Sequence, residues 1–255
     1  MTARFKVETK NVIAALKNLA AEDAPIVMAY AMTKTAQDIK AAETDSMKSV
    51  FDRPTNFTLN ALVVKPATKR DLVAEVYFKD GFGKSIPAWR YLGPQVEGGA
   101  RVHKAHEKRL IRQGLMKPDE FAVPGKGAKL NAYGNLSGST IERILSQLGA
   151  AEQFSGYQAN ATNSRRSKAK RTKHGSYFVL RPGAGGRADR NVAPGIYLRV
   201  GLKEMVPVIM FVRAPRYKKR FPFYETARHV FDARLVMRAR EGFERFVLSK
   251  FPKAA

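Results

Sequence analysis

The chain has 255 residues and no cysteine, with 46 Lys and Arg against 22 Asp and Glu, a net charge of +24. The missing thiol excludes disulfides, thiolate zinc sites and cysteine nucleophiles, and a 44% hydrophobic content excludes wholesale disorder. So large a positive excess opposes compaction unless a polyanion or an acidic protein surface offsets it.

The excess is uneven: residues 1–150 hold 23 basic and 15 acidic side chains, and residues 151–255 hold 23 and 7. No apolar run reaches the length of a membrane span. The opening "MTARFKVETK" lacks a signal-peptide core, so synthesis in the cytoplasm with no membrane contact is expected.

In chain order, "ARFKVE" predicts a short strand, and Thr9 or Asn11 caps a helix over "NVIAALKNLAAED". Pro25 suits the first turn of a long second helix over residues 25–51. Its expected buried stripe is Ile26, Met28, Ala29, Met32, Ala36, Ile39, Ala42 and Met47. "FTLNALVVKPA" and "LVAEVYFKD" predict a β-hairpin about the turn "TKRD". "GFGKSIPAWRYLGPQVEGGARVH" is broken by Gly and Pro, and "KAHEKRLIRQGL" reads as a short charged helix. "KPDEFAVPGKGAKLNAYGNLSG" reads as loop. A helix over "GSTIERILSQLGAAEQF" is expected to start at Ser139 or Thr140 and to bury Ile141, Ile144, Leu145 and Leu148.

"SGYQANATNSRRSKAKRTKHG" has almost no apolar content and reads as a loop or mobile arm. Strands are expected at "SYFVLRPG", "GIYLRVG" and "MVPVIMFVRA", with Pro207 at an edge or bulge. The chain closes with a long basic helix, its apolar side drawn from Phe231, Leu235, Met237 or Arg238, Phe243, Phe246 and Val247. The expected class is α+β: N-terminal helices, an antiparallel hairpin and further strands in a small sheet, a long C-terminal helix and extended loops. The expected domains are a core of residues 1–83 plus 176–255 and a loop-rich insertion of residues 84–175.

Catalytic signals are absent. His103 and His106 would share a face if both were helical, but their neighbours are basic, so no metal is expected. "VPGKGAKL" lacks the phosphate-loop pattern. "RPGAGGRADR", with Arg181, Arg187 and Arg190, is either a backbone anion cradle or a plain turn. Asp71, Glu75, Asp80, Asp119 and Glu120 share no motif of the kind that two-metal chemistry needs. The reading is of a non-enzyme without cofactor.

Two basic clusters stand out. Arg165, Arg166, Lys168, Lys170, Arg171 and Lys173 form an arm able to neutralise phosphates or an acidic partner; the alternative is a solvated loop. No aromatic residue interleaves the arm, which argues against base stacking. Arg213, Arg216, Lys218, Lys219 and Arg220 form the second cluster, with Tyr217 and Phe221 as core anchors at the entry of the last helix.

Three stretches together resemble the minor tail proteins of tailed bacteriophages, in particular the lambda-like tail-completion protein Z family. They are "VMAYAMTKTAQDIKAAETDSMKSVFD" leading into the hairpin, the basic run before a strand "SRRSKAKRTKHGSYFVL", and "IYLRVGLKEMVPVIMFVRAPRYKKRFPFYETARHVF". The likeness covers residues 10–80 and 175–250, and the middle departs from it. It implies a non-enzymatic structural protein of the virion neck or tail, assembled in the host cytoplasm. It further implies a homo-oligomeric ring, neighbouring phage structural proteins, and contact with double-stranded DNA or an acidic subunit through the basic arm. The alternatives are a free basic nucleic-acid-binding protein and, third, a phage nuclease.

Overall fold

The computed structural model describes residues 4–7, 23–81, 86–151, 159–182, 192–200, 204–214 and 216–250. In chain order they form strand β1 (Arg4–Val7), helices α1 (Ala24–Val50) and α2 (Asn56–Leu59), strands β2 (Leu62–Lys65) and β3 (Ala74–Phe78), helix α3 (Trp89–Val96) and strand β4 (Gly99–Ala100). Helix α4 (Ala105–Arg112), strand β5 (Glu120–Pro124) and helices α5 (Gly138–Gln147) and α6 (Arg165–His174) follow. Strands β6 (Ser176–Leu180), β7 (Gly195–Arg199), β8 (Met205–Arg213) and β9 (Arg216–Tyr217) lead into helix α7 (Phe223–Phe246). The fold is α+β, and its sheets are small.

The chain divides into two compact units, Met1–Gly99 with Tyr217–Ala255, and Ala100–Arg216. The expected boundaries at 83/84 and 175/176 therefore move. The reason is strand pairing: β5, in the supposed insertion, hydrogen-bonds to β8 with Glu120 opposite Arg213 and Pro124 opposite Ile209. That pairing and the β6–β7–β8 ladder bind residues 176–213 to the second unit.

In the first unit, α1 packs along α7 and on the antiparallel sheet β1-β3-β2. Pro25 occupies the first turn of α1 as expected. Met28, Met32, Ala36, Ile39 and Met47 are buried in its stripe. Gly242 of α7 lets the two helices close, since a Cβ there would stand 3.1 Å from the Val27 carbonyl oxygen. On β3 the alternation is regular: Ala74, Val76 and Phe78 face inward. Phe78, Phe221 and Phe223 are fully buried, with Phe78 and Phe223 ring centroids 4.9 Å apart. Each such side chain contributes roughly 1.5–3 kcal/mol by leaving water.

Local differences have local causes. The start of the expected first hairpin strand forms α2 instead, because the Thr55 hydroxyl accepts from the Thr58 N–H and caps a turn. Met237 on α7 is exposed, while Arg238 lies inward and forks onto Asp38 and Glu241 at 2.7–3.0 Å. Leu235 and Val247 are buried as expected, and Phe223 and Ala227 extend the face to the helix entry. The helix expected over "NVIAALKNLAAED" lies, all but Asp23, outside the described residues.

The second unit is built on the antiparallel sheet β5-β8-β7-β6. Leu110, Met116, Ile144, Leu145, Ile196, Ile209 and Phe211 form its core. Pro207 sits in β8, a central strand, and the register to β7 shifts there from Ile196–Ile209 to Tyr197–Pro207. Proline has no N–H to give a ladder, so the strand bulges at that point. Pro207 therefore sits at a bulge, and beyond the β5 pairing, which ends at Ile209, so β7 is its strand neighbour there.

Two irregular stretches prove regular, and one helix start moves. Residues 120–124 form β5, because β8 supplies the partner that makes a short apolar run a strand. Residues 89–96 form α3, which carries Pro94 inside it. Helix α5 starts one or two residues earlier than expected, at Gly138, with the Ser137 hydroxyl accepting from the Thr140 N–H at 3.2 Å. No helix among the described residues is long and apolar enough to cross a membrane.

Candidate functional site

The basic arm is helical. Residues Arg165–His174 form α6, with the Ser164 hydroxyl accepting from the Ser167 N–H at 3.3 Å. Arg and Lys have good intrinsic helix propensity. Arg171, Lys173 and His174 fall in the last turn, where positive charge complements the helix dipole. Gly175 ends the helix at φ +78°, and a Cβ there would stand 2.4 Å from Leu198 Cδ1. Only glycine suits both that backbone and that space. The loop expectation is corrected because low apolar content removes burial and not intrinsic helix propensity.

Helix α6 buries none of its residues. It is held at its ends. The Gln147 amide of α5 donates to the Gly175 carbonyl at 3.2 Å and accepts from the Tyr177 N–H at 2.9 Å, fastening the α6–β6 junction. Arg171 donates to the Thr162 carbonyl at 3.4 Å. Between α5 and α6 lies a cavity of about 920 Å³, lined by Arg143, Arg166, Lys170, Arg171 and His174 together with Ser146 and Asn160.

The polar floor of this groove is engaged by the protein. Ser146 donates to the Ala159 carbonyl at 2.8 Å, and Asn160 accepts from the Ala151 N–H at 2.9 Å. The acidic lining residue, Glu142, is held by Arg109 at 3.0 Å. By contrast, none of Arg143, Arg165, Arg166, Lys168, Lys170, Arg171 and Lys173 makes an ion pair among the described residues. Partial desolvation and the charges of Arg143, Lys173 and Lys170 hold the His174 imidazole below its ordinary pKa. Arg143, 22 residues before Arg165, has no sequence signal that joins it to the arm; only the groove that α5 and α6 line together does so.

The unit boundary passes through the second cluster, leaving Arg213 and Arg216 in one unit and Lys218, Lys219 and Arg220 in the other. Arg213, Arg216, Lys218 and Lys219 are exposed. Arg220 is exposed as well, donates to the Gln95 side chain at 2.6 Å and lies over the Phe51 ring. Phe221 is fully buried, an anchor as expected.

The histidines are not placed as a metal pair. His103 precedes α4 rather than lying on it, stacks on Phe121 at 4.3 Å, and has its Nε2 3.0 Å from the Glu120 carbonyl. Burial pushes the His106 imidazole down to about 4, so it is neutral at pH 7. Between them runs a structural ion pair. Glu107, fully buried, receives both arms of Arg101 and the N–H groups of Lys104 and Ala122. Burial raises the Glu107 carboxyl, but Arg101 and these N–H groups pull it net below its ordinary pKa.

The other candidates are likewise spent or separate. Gly125 and Gly127 of the phosphate-loop echo donate their N–H groups to the Val208 and Pro207 carbonyls, so they cannot cradle an anion. Arg181 pairs with Glu120 at 2.8 Å, and Arg187 and Arg190 lie outside the described residues. Glu75 pairs with Lys65. Among the described residues, no three His, Asp or Glu side chains gather as metal ligands would.

One buried group escaped the sequence reading. Glu43 lies inside α1 with no exposure, and neither carboxylate oxygen has a hydrogen-bond partner among the described residues. Burial, with the charge of Glu225, pushes its carboxyl up to about 9. A signal existed: Glu43 stands four residues from both Ile39 and Met47, on the stripe itself.

Compared with family models, curated proteins and solved structures, the chain matches none.

Proposed function

We propose that this protein is a structural, non-enzymatic component of a tailed-bacteriophage particle, at the head–tail junction or in the tail. In this reading it assembles as a homo-oligomeric ring among other phage structural proteins, and α6 is the helix that meets an acidic neighbour or DNA. The resemblance to lambda-like tail-completion proteins supports the placement. The observation that carries the contact role is α6 itself: six cations on ten residues, none buried and none ion-paired among the described residues. A solvated helix with that much self-repulsion is stabilised by an anionic surface.

The same cations favour a second reading, a free nucleic-acid-binding protein. Purified particles separate the two. Mass spectrometry of density-banded phage should find this chain at a fixed small copy number, a multiple of three or six. Presence only in infected-cell extract, and absence from particles, overturns the particle assignment in favour of the second reading.

A further inference from the structure

We infer that the groove between α5 and α6 binds the sugar–phosphate backbone of double-stranded nucleic acid, through Arg143, Arg166, Lys170 and Arg171 and without reading sequence. This rests on the reading of α6 as a contact helix and names its partner.

The groove offers charge and little else. Its cations come from two elements, α5 for Arg143 and α6 for the others, so a ligand bridging them is gripped from both walls. Four residues separate Arg166 from Lys170, which places their side chains on one face about one helical turn apart. Helix α6 is about 15 Å long, and duplex DNA carries one charge per ~1.7 Å of axis, so its face spans several phosphates.

The lining also argues against other polyanions. Among the described residues its apolar members are only Ala151, Ala159 and Ala161. An acidic protein would need aromatic or large aliphatic anchors at the centre of its interface, where binding energy concentrates. A single strand would need large aromatic rings on which bases stack, and among the described residues no Phe, Tyr or Trp lines this groove. Base-edge reading by side-chain amides is closed as well, because Gln147 holds the α6–β6 junction and Asn160 holds Ala151. What remains is backbone neutralisation by counterion release, which is independent of sequence and steep in salt.

The test is fluorescence anisotropy of the full-length chain with a labelled mixed-sequence duplex across a salt series. Replacing the four residues (R143A/R166A/K170A/R171A) is expected to reduce the log K against log [salt] slope by about 3 to 4, at about 0.9 per phosphate contact. Far-UV circular dichroism checks that the variant is folded. The charge-keeping variant R143K/R166K/R171K should retain the slope, which a merely structural role for the arginine forks would not predict. An unchanged slope in the alanine variant overturns the inference. So does competition by polyglutamate as effective as that by duplex, which assigns the groove to an acidic protein, or tighter binding of a single strand. Duplex binding by a chain absent from particles would sink the particle reading and leave this one standing; a particle component with no slope change would do the reverse.

Discussion

Glu43 and Glu107 are both fully buried carboxyl groups, one in each unit, and the two units treat them oppositely. Glu107 is surrounded by Arg101 and two backbone N–H groups and is held ionised. Glu43 has no hydrogen-bond partner among the described residues, faces the charge of Glu225, and is held protonated at neutral pH. Burial alone decides neither case. An ion in a low-dielectric interior persists only where the protein replaces its lost hydration, and otherwise takes up a proton.

The two basic helices repeat the lesson. Helix α7 buries Phe223, Ala227, Leu235 and Gly242 and ties Arg238 to Asp38 and Glu241. Helix α6 buries nothing and leaves its cations without ion pairs among the described residues. The first is anchored by packing. The second depends on its caps and on what binds it, because an isolated ten-residue helix is marginal in water.

Breaking the paired carboxylate should have the largest effect. Glu107→Ala removes the carboxylate that pairs with Arg101 and leaves the Ala122 N–H unsatisfied, and is expected to cost the second unit about 3–5 kcal/mol in urea unfolding. A loss under 1 kcal/mol would show that the pair contributes little.

Glu43→Met should act in the other direction, stabilising the first unit at pH 7.5 by about 1–4 kcal/mol. The sign follows from the raised pKa. The contribution of the protonated group is complete below the ordinary 4.5 and is lost as pH rises toward about 9. The slope is about 1.4 kcal/mol per pH unit. A pH series of thermal unfolding should show this slope in the parent chain and lose it in the variant; equal slopes would place the titration elsewhere.

The second unit should respond to pH with the opposite sign. His106, near Glu107, Lys104, Arg101 and Arg109, is lowered to about 4 from an ordinary 6.5. Its contribution is present above 6.5 and is lost as pH falls toward 4. His106→Leu should flatten the acid limb of that unit's stability. An acid limb that is unaltered would assign the loss to Glu107 and Glu120, whose carboxyls are also held low.

The smallest effect is local. Ser164→Ala removes the α6 cap and should cost about 1 kcal/mol, seen as faster amide hydrogen exchange across 165–174. Saturating duplex should restore protection there if the groove is the binding site.

By itself the sequence determined most elements whose signal is local. Pro25 and the Met28–Met32–Ile39 spacing specify α1; the alternation of Val76 and Phe78 specifies β3; the apolar runs at 176–180, 195–199 and 205–213 specify β6, β7 and β8. Propensity and periodicity act over a few residues, so a reader of the chain can see them. The tertiary structure alone decided what needs a distant partner. Strand β5 exists because residues 120–124 meet residues 209–213, which also sets the unit boundary. Arg143 joins the arm because α5 and α6 line one groove. Glu107 is ionised and Glu43 protonated because one meets Arg101 and the other is buried without a hydrogen-bond partner among the described residues and near the charge of Glu225. A charge's state depends on the groups that folding brings within a few ångströms, and chain order does not carry that information.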